Sequence, residues 1–174
     1  MRSKLSSPSV PVISVVGWSN SGKTTFLEKL IAELKARGIR VGIIKHHHGP
    51  VEIDQPGKDT WRLFQAGAEC TAIAGPGKVG LVLRAEGEMP PGDIAKLMPE
   101  VDLIITEGYK GSAYPQLEVR RAGHYRGEPA SSAGQLVAVC GDIALGEEGL
   151  PCFDSEDIDG AAGFIIDQYC RGSG

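Results

Sequence analysis

Residues 17 to 24 read Gly17-Trp18-Ser19-Asn20-Ser21-Gly22-Lys23-Thr24, a complete GxxxxGK(S/T) phosphate-binding loop. In this motif the glycines let backbone N–H groups approach phosphates, and the helix that follows adds its positive N-terminal end. The lysine supplies a charge, and the threonine hydroxyl is a ligand for Mg²⁺. The motif therefore predicts a nucleotide site, to which we assign Gly17, Ser19, Asn20, Ser21, Gly22, Lys23, Thr24 and Thr25.

The residues on either side of this loop predict the strand and helix that the motif needs. Upstream, Val12 to Val16 is a short β-branched run of the kind found in a buried parallel strand. Downstream, apolar residues recur at helical spacing through Leu34, and Gly38 lies where a C-terminal cap belongs. The segment is thus predicted to be a strand, a phosphate-binding loop and a helix.

The remaining elements complete an α/β pattern. Residues 40–45 predict a second strand and a right-handed βαβ unit. Further strands are predicted at 101–106, 117–120, 136–140 and 152–153, and helices at 59–66, 90–98 and 155–169, with Asp59 or Thr60 and then Ser155 as caps. Two strands around Gly75-Pro76-Gly77 indicate an antiparallel hairpin. We predict a P-loop NTPase-like α/β fold, a mostly parallel sheet with helices on both faces and a hairpin insert.

Length and charge limit the kinds of protein that this can be. We predict one domain over the 174 residues, with residues 1–9 as a flexible leader. A net charge of −4 argues against non-specific nucleic-acid binding, which depends on phosphate neutralisation. No apolar run is long enough for a membrane span, and the four cysteines form no CxxC pair. These features predict a cytoplasmic protein with free thiols that binds neither nucleic acid nor membrane.

Polar residues at the carboxyl ends of the predicted strands are further site candidates, because ligands of open α/β sheets bind there. Glu107 follows an apolar strand as a Walker B carboxylate does, and it is predicted to hold Mg²⁺ beside Thr24. Asp142 follows a later strand and could accept hydrogen bonds from guanine N1 and N2. The usual NKxD guanine motif is impossible, since Asn20 is the only asparagine, and the residues leave ATP and GTP both open.

The tip Lys45-His46-His47-His48 has three interpretations. Imidazoles suit transition metals, but alternation places His46 and His48 on one face and His47 on the other, so three-histidine coordination would need a turn. Lys45, His46 and His48 could instead contact phosphate or substrate, or the segment could be a solvated loop.

Taken in order, these motifs resemble the molybdopterin-guanine dinucleotide biosynthesis protein B (MobB) family over about residues 10 to 170. The matching residues are Gly17 to Thr25, Lys45-His46 with His48, Asp54, Pro56 to Thr60, Ala66 to Ala68, Asp102 to Ile105, Glu107 to Lys110, Arg120, Val137 to Val139 and Asp142. The resemblance implies a dimeric GTP-binding protein of the dethiobiotin-synthetase and nitrogenase-iron-protein-like class, with Mg²⁺ and weak GTPase activity at most. It also implies support of the guanylyltransferase that attaches GMP to molybdopterin, and contact with molybdopterin and the proteins that handle it.

The sequence departs from the family in the histidine loop. The family usually has KHxHH followed by an acidic residue, whereas Gly49 and Pro50 stand at those last positions here. Glu52 and Asp54 keep an acidic pair in the loop, and Asp54 is a candidate Mg²⁺ ligand or equally a loop cap.

Three functions follow from these observations. The leading one is a GTP-binding adapter in molybdenum cofactor maturation. No catalytic residue is assigned, because no clear water-orienting glutamine or arginine finger can be chosen from the sequence. The alternatives are an ATP-dependent ligase like dethiobiotin synthetase and a nickel-insertion GTPase. The hairpin offers an edge that could pair across a homodimer.

Overall fold

The computed structural model describes residues 10–132, 134–142 and 149–171. The chain divides into two compact units, one built from residues up to 46 and from 91 onward, the other from residues 47–90. In the described ranges, no helix is both long enough and apolar enough to cross a membrane.

The helices and strands follow the predicted order. They are β1 (Val12–Val16), α1 (Lys23–Ala36), β2 (Val41–Lys45), α2 (Asp59–Gln65), β3 (Cys70–Gly75), β4 (Lys78–Leu83), α3 (Pro91–Ala95), β5 (Leu103–Glu107), β6 (Gln116–Arg120), β7 (Leu136–Gly141), β8 (Cys152–Phe153) and α4 (Ile158–Ile165), which continues as a π-helical turn, Ile166–Cys170.

The first unit is a six-stranded sheet in the order β2-β5-β1-β6-β7-β8, and every neighbouring pair is parallel. The predicted α/β fold is therefore confirmed. One face of the sheet carries the apolar core, where α1 and α4 pack together against alternating strand residues. The core residues of α1 are Phe26, Leu27, Leu30 and Leu34.

The opposite face of the sheet is also buried, and it carries several polar side chains. Its fully buried side chains include Ser14, Thr106, Gln116, Glu118 and Arg120. Groups of this kind are tolerated in a protein interior only when they are hydrogen-bonded. The partners come mostly from the irregular segments 108–115 and 121–132, which cover this face where a helix would otherwise lie.

The second unit contains α2 and the hairpin. The predicted antiparallel pairing of β3 with β4 is present, and these two strands form a sheet of their own. Because directly opposed residues share a face, one face of the hairpin is wholly apolar. It consists of Cys70, Ala72, Ala74, Val79, Leu81 and Leu83.

Two of the predicted helix caps are wrong. At α4 the cap is Asp157, whose carboxylate accepts from the Gly160 N–H at 3.0 Å, because a turn stabilised by Asp154 keeps Ser155 outside the helix. At α2 the N-cap position is Lys58, with no side-chain cap. Gly38 follows the last turn of α1 with positive φ, as predicted.

Candidate functional site

The phosphate-binding loop connects the end of β1 to α1 at the centre of the sheet. Gly17 has a φ of 154°, and a Cβ there would lie 2.5 Å from the carbonyl oxygen of Val119 in β6. Only glycine permits this close approach to the neighbouring strand. Ser19 and Asn20 are exposed at the crest of the loop, where Asn20 has a left-handed φ of 61°.

Lys23 is folded back along the loop. Its ammonium group donates to the carbonyl oxygens of Gly17, at 3.1 Å, and Trp18, at 2.7 Å. Burial lowers the pKa of Lys23 below the usual lysine value. The negative charge of Glu107 opposes this shift, while the positive charges of Lys110 and Lys45 add to it.

The first turn of α1 meets the end of β5. The Thr24 hydroxyl donates to Oε1 of Glu107 at 3.1 Å, and Nζ of Lys45 at the end of β2 lies 3.7 Å from Oε2. The structure thus brings together Thr24, Glu107 and Lys45, three residues assigned to the site from the sequence. A hydroxyl beside a carboxylate offers the hard oxygen ligands that Mg²⁺ prefers.

A cavity of about 300 Å³ opens beside the loop, over the ends of β6 and β7. Ser21, Gly22 and Thr25 line it from the loop, and Asp142 lines it from the end of β7. Within the described residues, the buried Ser21 hydroxyl has no hydrogen-bond partner, so a polar ligand atom would complete its bonding. The size and the polar groups fit a small ligand such as a nucleoside.

The far wall of this cavity includes two features that the sequence did not reveal. The Lys29 ammonium contacts both carboxylate oxygens of Glu156 at 2.8 Å, and both residues line the cavity. Asp142 accepts from the Ala122 N–H at 3.3 Å, which ties the end of β7 to the segment after β6. Neither partner could be chosen from the sequence, because each pair is distant along the chain.

His46 takes part in an aromatic contact. Its ring stacks on Tyr109 with centroids 4.3 Å apart, and its backbone N–H donates to the Glu107 carbonyl at 3.0 Å. Tyr109 has a left-handed φ of 55°. His46 therefore joins the end of β2 to the turn that follows β5.

His48 and Asp54 belong to the second unit. There Asp54 accepts from the Gln55 N–H at 2.9 Å, which is a loop-capping bond, and it lines a small cavity of about 80 Å³. Over the part of the chain that the structure describes, no three residues drawn from histidine, cysteine, aspartate and glutamate form a group that could hold a metal ion.

Trp18, which has no role assigned from the sequence, is the centre of a cation cluster. Its indole N–H donates to the Glu128 carbonyl at 3.0 Å. The Lys110 ammonium lies 4.2 Å from the ring centroid and the Arg126 guanidinium 4.7 Å, both within cation–π distance. An aromatic residue at this variable position of the motif was the only available signal.

The segments that carry Lys110 and Arg126 are held from the polar face of the sheet. Buried Gln116 donates to the carbonyls of Lys110, at 2.9 Å, and Ser112, at 3.2 Å. Its amide oxygen accepts from the Ser132 N–H at 2.7 Å. Hydrogen bonds from a buried β6 residue thus connect both segments to the sheet.

Glu118 anchors the second of these segments. Its carboxylate accepts from the Ala130 N–H at 2.9 Å and from the Ser131 hydroxyl at 3.0 Å, and it contacts the Arg120 guanidinium at 3.3 Å. All side-chain surface of Glu118 and Arg120 is buried. A buried carboxylate needs such partners, because an uncompensated charge in the interior is strongly unfavourable.

Comparisons with known proteins identify a family. The family model described as "Molybdopterin guanine dinucleotide synthesis protein B" matches residues 12–142. The molybdopterin-guanine dinucleotide biosynthesis adapter protein of Escherichia coli is 35% identical, covering 95% of this chain and 97% of that protein. The probable adapter protein of Bacillus subtilis is 32% identical, covering 91% and 92%.

Solved structures agree with this result. The crystal structure of Bacillus subtilis MobB superposes with a TM-score of 0.74 at 28% identity, covering 94% of this chain and 99% of the other. A MobB homologue from Bacillus stearothermophilus gives a TM-score of 0.65 at 28% identity, covering 91% and 97%.

Proposed function

This chain belongs to the molybdopterin guanine dinucleotide synthesis protein B family, and on that premise we propose that it is a GTP-binding adapter with weak GTPase activity at most. It acts in the biosynthesis of molybdopterin guanine dinucleotide, as the names of its relatives state for those proteins.

One observation carries the nucleotide part of the proposal. The Thr24 hydroxyl lies 3.1 Å from Glu107, next to Lys23, beside a cavity that the same loop lines. The phosphates would contact the backbone of the loop and the ammonium group of Lys23, and the nucleoside would enter the cavity. Bound Mg²⁺ would neutralise part of the phosphate charge, with Thr24 and Glu107 as its protein ligands.

The choice of GTP rests on the family and on Asp142. A carboxylate at the cavity wall can accept from the two neighbouring N–H groups of guanine, whereas adenine offers no such pair on that edge. Lys45 and His46 are proposed phosphate contacts beside Glu107. His48 and Asp54 lie in the second unit, and their assignments to phosphate and Mg²⁺ stay predictions from the sequence.

Calorimetric titration tests this proposal. Mg·GTP should bind the wild-type protein, and Lys23→Ala should remove most of the affinity. Absence of GTP binding by the wild type, or equal binding by Lys23→Ala, would contradict it. Competition between ATP and GTP separates the adapter from an ATP-dependent ligase, which would prefer ATP and consume it stoichiometrically with an acid substrate.

The apolar hairpin face supports a homodimer. Val79 is 69% exposed, Leu81 46% and Leu83 37%, on a face that consists only of apolar residues. An uncovered sheet face of this composition marks an interaction surface, and a second copy of the same face would cover it. The guanylyltransferase that attaches GMP to molybdopterin is the proposed protein partner, and co-purification of the two proteins with and without Mg·GTP tests that interaction.

A further inference from the structure

Lys110 is held in place more firmly than an exposed lysine usually is. Its side chain lies on the Trp18 ring, with Nζ 4.2 Å from the centroid. Its carbonyl oxygen accepts from buried Gln116 at 2.9 Å and also from the Ser132 hydroxyl. The backbone is thereby tied to β6 and the side chain to the phosphate-binding loop, so the charge has a defined position.

The order of the strands determines the direction in which a bound nucleotide would lie across this site. The cavity lies over the ends of β6 and β7, on one side of the loop that follows β1. Glu107 and Lys45 end β5 and β2, on the other side. A nucleoside in the cavity would therefore extend its phosphates across the loop, and the terminal phosphate would reach the end of β5.

Lys110 follows Glu107 by three residues along the chain, and its ammonium lies over Trp18 of the phosphate-binding loop. Its charge also lowers the pKa of Lys23, as does that of Lys45, after the larger effect of burial. The contacts place these lysines around the loop, since Lys23 donates to the carbonyl of Trp18, whose ring carries the Lys110 ammonium. Lys45 lies 3.7 Å from Glu107 at the neighbouring strand ends. Such a concentration of positive charge, in a chain of net charge −4, favours an anion of high charge.

We propose that Lys110 is a further binding residue for the terminal phosphate of a nucleoside triphosphate, and that Trp18 is the positioning residue that holds its side chain there. This inference rests on the proposed nucleotide-binding function. The contact should make the protein bind a nucleoside triphosphate in preference to a diphosphate, because a diphosphate lacks the phosphate that Lys110 contacts. Trp18 acts through Lys110 and has no contact of its own with the phosphate.

Calorimetric titration with the β,γ-imido analogue of GTP, and separately with GDP, tests this. Lys110→Met should weaken binding of the triphosphate analogue by about tenfold, the loss of one charge-assisted hydrogen bond, and change GDP binding by less than about twofold. Lys110→Arg should restore most of the selectivity. Trp18→Phe should retain it, since a ring remains, while Trp18→Leu should behave like Lys110→Met.

Arg126→Met is the matched control. Arg126 lies over the same ring, 4.7 Å from its centroid, but it is not among the charges that shift the pKa of Lys23. Arg126→Met removes one positive charge, as Lys110→Met does. It should nevertheless leave the preference for the triphosphate over the diphosphate unchanged. Thermal unfolding of each variant checks that the fold is retained, which we expect because Lys110 and Arg126 are exposed.

The possible outcomes separate the two proposals. If the wild type binds neither nucleotide, both proposals fail. If the wild type binds and Lys23→Ala does not, but Lys110→Met keeps the wild-type ratio of triphosphate to diphosphate affinity, only the role of Lys110 fails. An equal loss in Arg126→Met and Lys110→Met would also overturn that role, since general charge around Trp18 would then explain the effect.

Discussion

The Thr24 hydroxyl donates to Oε1 of Glu107 across 3.1 Å, which joins the first turn of α1 to the last residue of β5. Residues 83 positions apart thus place a hydroxyl and a carboxylate side by side. The pair lies at the central strands of the sheet, where the proposed metal-binding and phosphate-binding groups meet.

Glu107→Gln should reduce the contribution of Mg²⁺ to GTP affinity. The amide keeps a hydrogen-bond acceptor for Thr24 but lacks the charge that attracts the ion. We expect GTP affinity to fall about tenfold in Mg²⁺ and to change little in EDTA, measured by titration. Glu100→Gln, at an exposed position before β5, is the charge control. Equal losses with and without Mg²⁺ would exclude Glu107 as a metal ligand.

Nucleotide affinity should fall at alkaline pH. Burial, with help from Lys110 and Lys45, lowers the pKa of Lys23, and a bound phosphate favours the protonated form. Nucleotide affinity therefore has its full value when the pH is below the lowered pKa of Lys23, and it falls as the pH rises through that pKa. Titrations from about pH 7 to 10 should show this loss beginning below the usual lysine pKa. In Lys110→Met the loss should shift to higher pH, and an unchanged profile would contradict the assigned interaction.

Glu118→Ala should strongly destabilise the protein, since it removes a buried carboxylate that contacts the Arg120 guanidinium and accepts from Ala130 and Ser131. We expect a loss of about 3 to 5 kcal/mol in the free energy of unfolding, measured in urea. Glu128→Ala, which removes an exposed carboxylate from the neighbouring segment, should cost less than about 0.5 kcal/mol. The double variant Glu118→Ala with Arg120→Met should lose less stability than the sum of the losses in Glu118→Ala and Arg120→Met.

Acid should weaken the contact between the starts of β2 and β5. Asp102 accepts from the Arg40 backbone N–H at 2.8 Å and from its guanidinium, and these bonds lower the pKa of Asp102 to about 2. The pKa of Asp102 is lower in the folded protein than its unfolded value near 4. The ionised carboxylate therefore stabilises the folded protein fully above about pH 4, and this stabilisation is lost as the pH falls through about 2. Asp102→Asn should cost about 1 kcal/mol at neutral pH, because solvent screens this half-exposed pair. Urea unfolding should show that this difference disappears below about pH 2.

Val79→Lys should weaken self-association. The substitution places a charge on the apolar hairpin face, where Val79 lies opposite Ala74 next to the turn. Ile73→Lys is the matched control, since Ile73 is similarly exposed on the other face of the hairpin. Light scattering after gel filtration should give a dimer for the wild type and for Ile73→Lys, and a monomer for Val79→Lys. A monomeric wild type would refute the proposed homodimer.

The parallel sheet could be predicted because its strands are continuous apolar runs and the loop motif fixes the first crossover. Glu107 could also be chosen, since it ends such a run. Gln116 and Glu118 could not, because they are polar residues on one face of β6, which alternation alone would place toward water. They are buried because their partners, including Lys110, Ala130 and Ser132, lie in irregular segments with no periodic signal.

The helix caps were also only partly predictable from the sequence, here because of contacts between residues that are close together in the chain. Ser155 is a good capping residue, yet Asp157 caps α4 because the turn at Asp154 delays the start of the helix by two residues. Trp18 had no interpretation because the motif allows any residue at its position. Its partners Lys110 and Arg126 are 92 and 108 residues away along the chain.

Gly141 lies at the edge of the cavity with a φ of 133°, and a Cβ there would fall 1.8 Å from the carbonyl oxygen of Arg120. No L-amino acid side chain fits without separating the ends of β6 and β7. In a saturation-mutagenesis library this position would therefore accept a single residue. It would score like an indispensable active-site position, although it contributes no functional group at all.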